Sequence, residues 1–493
     1  MYYQSTRNPK QVVSASQAIL QGLAPDGGLY VPQSFPQFEL DWDQLKDYSY
    51  QEMAEFILGP FLDDYSPEAL RACIEAAYDD KFDDPKIAPL VKVGDRYHLE
   101  LFHGATIAFK DMALSILPHL MTQAAAINHN DKEIIILTAT SGDTGKAAMA
   151  GFADVPSTKI AVFYPEGGVS DIQEKQMLTQ KGANTYVYAV RGNFDDAQTQ
   201  VKALFNDPAL RQKLADQGTQ FSSANSMNIG RLLPQVVYYF YAYAQLVKAG
   251  TITAGEAIDF TVPTGNFGNI LAAYYGQRCG LPVNHLICAS NDNKVLYDFF
   301  QTGTYNRKRD FKLTISPSMD ILVSSNFERM LYHALGDNSD HLTALMSQLD
   351  QDGLYQVTAE EFQAFQGISG EFASEDETKD EIKQAFEAND YLMDPHTAVA
   401  SRSYRKYLDQ TEGAKAGVIV STASPYKFPA TVLQAIGQDA DQASISERLA
   451  KLRELSGVPY PQAIQELESA DIRDKKILAI DQMEAEVLKI VKD

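Results

Sequence analysis

Cysteine is scarce in this chain. The three that occur, Cys73, Cys279 and Cys288, are an odd number with no CxxC spacing, which excludes a disulfide framework and a thiolate zinc site. Histidines are few and scattered, and His333 and His341 are wrongly spaced for a helical metal pair, so no metal is expected. Positive charge is also in deficit. With 42 Lys and Arg against 65 Asp and Glu, the formal net charge is −23, which argues against nucleic acid and anionic membranes as partners. No uninterrupted apolar run approaches the roughly 20 residues that span a bilayer. The opening Met1-Tyr-Tyr-Gln-Ser-Thr-Arg7 has no apolar signal core, so the cytoplasm is the expected compartment. Repeats, low-complexity segments and long flexible linkers are absent. A chain this acidic that handles an anion must supply positive potential locally, so cations beside glycine loops draw attention.

What is present is the composition of a globular protein: 493 residues, 45% hydrophobic and 22% charged, enough for two or three domains and a large core. Residues 1–90 read as a mostly helical opening segment. Ser14-Ala-Ser-Gln-Ala-Ile-Leu-Gln-Gly22 is a capped helix ending in glycine, and apolar residues recur at helical spacing between Tyr50 and Tyr78. Residues 91–430 change texture to short β-rich runs alternating with helices. Near-continuous apolar runs at 133–140, 159–164, 185–190, 257–262, 285–289 and 417–421 predict strands buried on both faces. The expected class is therefore α/β, with mainly parallel sheets whose carboxyl ends carry the site. Within this core, 110–225 is expected as a smaller mobile subdomain and 340–392, acidic and rich in Gln and Glu, as an inserted helical layer. Residues 431–493 are expected as a helical tail packing on the core.

Four segments could carry chemistry. Lys110, flanked by Ala108 and Phe109, is either a solvated surface charge or an amine kept partly desolvated, and desolvation favours the neutral, nucleophilic form. Thr140-Ser-Gly-Asp-Thr-Gly145 follows an apolar run and precedes an alanine-rich helix start. It is a tight strand-to-helix turn or an anion cradle of backbone N–H groups and hydroxyls. It is not a nucleotide phosphate loop, which needs glycine at 140 and Ser or Thr at 147, where the chain has Thr140 and Ala147. Thr264-Gly-Asn-Phe-Gly-Asn269 allows the same two readings. Asn225-Ser-Met-Asn-Ile-Gly-Arg231 is either a helix cap with a surface arginine or a guanidinium placed for a phosphate. A nucleophilic lysine with two anion cradles suits an aldehyde cofactor that carries a phosphate, and pyridoxal phosphate is that cofactor.

Six ordered motifs then resemble one family. Phe102-His-Gly-Ala-Thr-Ile-Ala-Phe-Lys-Asp111, Thr138 to Gly145, Asn225 to Arg231, Pro263 to Asn269, Asp394-Pro-His396 and Ser421-Thr-Ala-Ser-Pro-Tyr-Lys-Phe428 follow the order seen in threonine synthases. Gly22-Leu-Ala-Pro-Asp-Gly-Gly-Leu-Tyr-Val-Pro32 is similar to that family's N-terminal signature, and the likeness runs nearly end to end, on the longer bacterial and fungal branch.

The resemblance implies the tryptophan synthase β-like fold of pyridoxal-phosphate enzymes (fold type II) and makes Lys110 the catalytic Schiff-base lysine. It implies cofactor binding by Gly265, Asn266, Phe267, Gly268 and Asn269 at the phosphate, by Thr422 at the pyridine nitrogen and by Asp143 near the 3′-oxygen. Many relatives carry asparagine where this chain has Asp143, which as a carboxylate can only accept. Thr140, Ser141, Gly142 and Thr144 would hold the substrate carboxylate, and Asn225 and Arg231 the substrate phosphate. The implied reaction is a lyase step on a phosphate: O-phospho-L-homoserine and water give L-threonine and phosphate. The branch also implies a monomer rather than a homodimer. Two other readings stand beside it, a serine or threonine dehydratase or tryptophan synthase β chain of the same fold, and a non-catalytic metabolite-binding relative. A dehydratase has no substrate phosphate for Asn225 and Arg231 to bind, and a non-catalytic relative has no use for Lys110.

Overall fold

A computed structural model describes residues 1–140, 142–411, 416–440 and 442–492. Two open sheets organise it. The larger has six strands in the order Ile368–Phe372, Val283–Ser290, Ile258–Pro263, Gly417–Ser421, Arg96–Glu100 and Leu90–Val93. All neighbours run parallel except the last pair, an antiparallel hairpin. The smaller sheet is wholly parallel, ordered Ile477–Ala479, Thr185–Arg191, Thr158–Pro165, Glu133–Ala139 and Thr219–Ser222. All six apolar runs are strands. Their interiors are solidly buried, as expected of parallel strands covered by helices on both faces.

The sequence signals for helix ends work as local chemistry. Ser14 and Gln17 form a reciprocal capping box, and Gly22 closes that helix at φ 74°. Thr358 with Glu361 and Ser374 with Glu377 open two helices of the acidic stretch in the same way. That stretch is not only helical: Ile368–Phe372 adds the outer strand of the larger sheet beside Val283–Ser290. Its Ser369, Gly370 and Glu371 break the apolar run by which the other strands are legible. The C-terminal segment is mostly helical, but Ile477–Ala479 pairs with Ala189–Arg191 as an edge strand of the smaller sheet.

One helix joins the parts. Ile229–Lys248 is buried on nearly all sides, its Leu, Val, Tyr and Phe residues packing against Tyr50–Phe61 and Gly268–Arg278. Apolar residues all round a helix mark an element inside the core rather than on its surface. Asn228 caps its start, accepting from the Gly230 N–H at 2.9 Å, which places Arg231 in the first turn. Among the described residues, no helix is long and apolar enough to cross a membrane.

The strand Arg96–Glu100 delivers the chain to His103, whose ring nitrogens lie 2.7 Å from Asp83 Oδ1 and 2.9 Å from Glu100 Oε2. Burial alone would lower the imidazole, but the hydrogen bonds to Asp83 and Glu100 outweigh it and lift the group to about 9. Its stabilising contribution is complete below the unfolded value of 6.5 and is lost as pH rises through about 9. Thermal unfolding of wild type should therefore weaken between those pH values, whereas His103→Gln should be lower at pH 6 and show less of that decline.

Candidate active site

The strands Glu133–Ala139, Ile258–Pro263, Gly417–Ser421 and Arg96–Glu100 all end where their following loops carry a motif. This is where open parallel sheets bind ligands. Between these loops lies a cavity of about 360 Å³. Lys110, Thr140, Thr144, Asn225, Arg231, Gly265 to Asn269 and Thr422 all line it. Ser141 lies outside the described residues. Gly142 and Asp143 do not line it.

Lys110 is placed by backbone pairing. Phe109 N–H donates to Thr422 O at 2.8 Å and Ser424 N–H to Ile107 O at 3.0 Å, with Ala108 bridged to Ala423. Ile107 takes a left-handed φ of 53°, turning the chain so that a short helix starts at Asp111. Asp111 faces away, its carboxylate accepting from the Thr106 N–H and hydroxyl at 2.7 and 2.6 Å. The Lys110 ammonium has no hydrogen-bond partner among the described residues. Burial pulls it down to about 8, with Lys427 and Arg231 pushing the same way and Asp143 opposing. At neutral pH a usable fraction of the amine is neutral.

The glycine loop beyond Pro263 fits an anion. Phe267 sits at φ 61° and leads into Gly268–Arg278, whose first N–H groups have no intrahelical partner and point toward the helix's positive end. A Cβ on Gly265 would lie 2.5 Å from Ser318 O, so only glycine permits this approach. The hydroxyls of Tyr238 and Tyr239 both lie 2.6 Å from Asn269 Oδ1, which leaves its Nδ2 buried with no partner. Arg231 is similar: Nη1 donates to Ala224 O at 2.6 Å, while Nε is buried and unpaired. Burial lowers this guanidinium only to about 10, so it remains a cation. Two orphaned donors on one cavity wall need acceptors, and buried polar groups left unpaired cost about 1–3 kcal/mol each. A ligand with two anionic groups fits both, and pyridoxal phosphate with a phosphorylated substrate is such a pair.

Known proteins bear on this geometry. The descriptions "Threonine synthase N terminus", "Pyridoxal-phosphate dependent enzyme" and "Threonine synthase, C-terminal" match residues 2–78, 96–424 and 397–477. The chain belongs to the threonine synthase family of pyridoxal-phosphate-dependent enzymes. It is 36% identical to threonine synthase of Schizosaccharomyces pombe, over 89% of this chain and 90% of that one. The likeness to human threonine synthase-like 1 is 39%, over 91% of this chain, which spans 62% of that protein's length. Among solved structures, the pyridoxal-phosphate-bound threonine synthase of Brucella melitensis has a TM-score of 0.89 at 35% identity, both chains covered completely. The yeast enzyme gives 0.88 at 31%, covering 100% of this chain and 99% of that one.

Within the threonine synthase fold of this chain, Asp143 is a paired internal charge. Its Oδ1 lies 3.2 Å from Lys427 Nζ and accepts from Gln173 Nε2 at 2.9 Å; Oδ2 accepts from Ser318 Oγ at 3.1 Å. Burial pushes the carboxyl up, but Lys427 and Lys110 with the Gln173 bond hold it far below the usual carboxylate range. The departure from asparagine is thus matched by a cation, and the charged form is what the site contains. Thr140 supports the same turn, its Oγ1 accepting from the Gly142 and Gly145 N–H groups at 3.0 and 2.9 Å.

Several residues were not legible as site residues. Lys427, fully buried and also bonded to Thr106 O at 2.8 Å, belongs to a quoted motif but has no role there. His396 accepts from the Ser318 N–H through Nε2 at 3.1 Å and meets Asp394 through Nδ1, so the proton sits on Nδ1. Ser318 lies in a stretch without any motif, and only folding brings it to Asp143. Arg329, completely buried, donates to Tyr30 O and Met227 O and meets Asn326, which in turn donates to Asn266 O at 3.0 Å. It ties the N-terminal segment to the loops Asn225–Arg231 and Gly265–Asn269. Removing Lys427 would strand the Asp143 carboxylate, so Lys427→Met should destabilise by about 3–5 kcal/mol in chemical denaturation. Adding Asp143→Asn to that variant should recover at least half the loss.

Proposed function

We propose that this chain converts O-phospho-L-homoserine and water to L-threonine and phosphate, acting as a threonine synthase. The observation that carries it is one cavity holding a desolvated lysine, a glycine anion loop and a second, buried cation, Arg231. The Gly265–Asn269 loop with the free Asn269 amide would hold the cofactor phosphate, Thr422 would meet the ring nitrogen, and Lys110 the aldehyde. Bound there, pyridoxal phosphate supplies a carbonyl that captures the substrate amine and an electron sink for charge that develops next to it.

The chain's own residues do the rest. Arg231 and Asn225 bind the substrate phosphate, and the hydroxyls of Thr140 and Thr144, which line the cavity, meet the substrate carboxylate. Held at both ends, the substrate presents its α-hydrogen to Lys110, whose neutral amine removes it as general base. A second proton leaves the β-carbon and phosphate leaves the γ-carbon. Protons then return to the γ-carbon and, from Lys110, to the α-carbon, and hydroxide from water adds at the β-carbon, so one water is consumed for each phosphate released. The Asp143–Lys427 pair acts as a positioning contact, fixing the turn against Ser318. Residues 110–225, which include most of the smaller sheet, would close over the substrate and exclude water. The dehydratase reading explains neither the buried Arg231 nor its open Nε.

Threonine and phosphate should appear in equal amounts from O-phospho-L-homoserine with wild type. Lys110→Ala should be folded and inactive, and Arg231→Ala should raise KM at least about tenfold, the loss of a charged hydrogen bond. Release of neither product by a cofactor-loaded wild type would overturn the proposal. The capture rate of an aldehyde by cofactor-free protein should rise with pH and level off above about 8.

A further inference from the structure

The active-site cavity does not stand alone. A larger one of about 1060 Å³ adjoins it, between the N-terminal segment from Gln17 to Gly27 and the smaller sheet's edge strand Thr219–Ser222 with the helices Phe194–Asn206 and Pro208–Ala215. Ala139, Gln198, Lys202, Asn225 and Met227 line both, so the two communicate. Acidic residues make up 65 of the chain's 493, yet none of the described residues on this wall is acidic. The wall instead carries Lys132, Lys202, Arg211 and His129 among many side-chain amides and hydroxyls. The nearby Lys213 is paired with Glu484, but Lys132, Lys202 and Arg211 make no ion pair among the described residues. Asp207, beside this wall, is occupied in capping its own helix at 2.8 Å from the Ala209 N.

We propose that this second cavity is an anion-guiding vestibule, through which phosphorylated ligands enter and phosphate leaves the site at Lys110. A protein with net charge −23 repels a phosphate monoester at long range, so entry is slow unless one path carries the opposite sign. The placement of the cations favours transit over storage. Lys132, Lys202 and Arg211 are exposed to water and hold an anion weakly, whereas Arg231, at the inner end, is buried and holds it firmly. Neutral amides between them donate hydrogen bonds without adding a charge that would trap the ligand. An anion thus meets increasing affinity on its way from solvent to Arg231. Entry of O-phospho-L-homoserine rests on the function proposed above; entry of the cofactor, itself a phosphate monoester, does not.

The test uses the full chain with Lys132→Glu and Arg211→Glu combined, since both side chains line only the vestibule. The second-order rate of pyridoxal phosphate binding to cofactor-free protein, followed by absorbance, should fall at least about fivefold at low ionic strength. The difference should vanish near 0.5 M salt, where charges are screened within a few ångströms. kcat on O-phospho-L-homoserine should not change, while kcat/KM falls with the same salt dependence. Lys383→Glu with Lys451→Glu alters net charge equally on residues that line neither cavity, and should leave both rates near wild type. An unchanged cofactor association rate, or an equal loss in the Lys383 and Lys451 variant, would overturn the vestibule. Should wild type leave O-phospho-L-homoserine untouched, the function proposed above fails and the cofactor rate alone decides the vestibule.

Discussion

Holding one lysine amine out of water, within reach of loops from two sheets, is the constraint around which this protein is arranged. An ammonium group resists burial, so the chain around Lys110 must be fixed strongly enough to impose it. Backbone pairing from Ile107 to Phe109 with Thr422 to Ser424 does this, because it extends the larger sheet past the end of Gly417–Ser421. Asp111 then locks onto Thr106, and Lys427 donates to the Thr106 carbonyl. The amine's depressed proton affinity is a consequence of that scaffold rather than a property of the local sequence.

Charge is distributed by the same logic. The chain is acidic overall, while the interior around the site buries the cations Arg231, Arg329 and Lys427 together with Asp111, Asp143 and Asp394. Of these cations only Lys427 faces a carboxylate across a short gap. Buried cations that meet neutral oxygens are costly to fold around. Their retention is intelligible where anions bind, since a preorganised positive site need not reorganise when the ligand arrives. Arg329 adds a mechanical function, because the carbonyls it binds belong to the N-terminal segment and to the loop that leads to Arg231. Asn228 makes a second tie, donating to Ile19 O at 3.0 Å. The N-terminal segment is therefore tied to the loop that leads to Arg231.

The two cavities extend this division between surface and interior. The inner one is lined by Arg231 and Asn269, each with a buried donor that has no other partner among the described residues, and the outer one by exposed cations and amides. Loops that leave the carboxyl ends of parallel strands build the inner one, whereas the outer one lies along the edge strand Thr219–Ser222, the residues before Glu133 and the N-terminal segment.

Apolar runs alternating with helical stretches made the α/β class legible, and six ordered motifs carried the chemistry through their resemblance to one family. Those runs, of strand length and bounded by turn residues, made the six strands legible. Lys110 and the glycine loops, read as residues alone, allowed an ordinary structural reading beside the functional one. Capping residues marked helix starts. Ile368–Phe372 and Ile477–Ala479 were not legible, because a short edge strand is held by its neighbour's hydrogen bonds and needs no apolar run. The partners of Asp143 were hidden as well: Gln173, Ser318 and Lys427 lie far from it and from one another along the chain, and only tertiary packing brings them together. Tertiary structure alone decided which charges are paired, which donors are left open for a ligand, and how far the amine of Lys110 is withdrawn from water. Those quantities depend on distance and burial, and neither is encoded in local sequence.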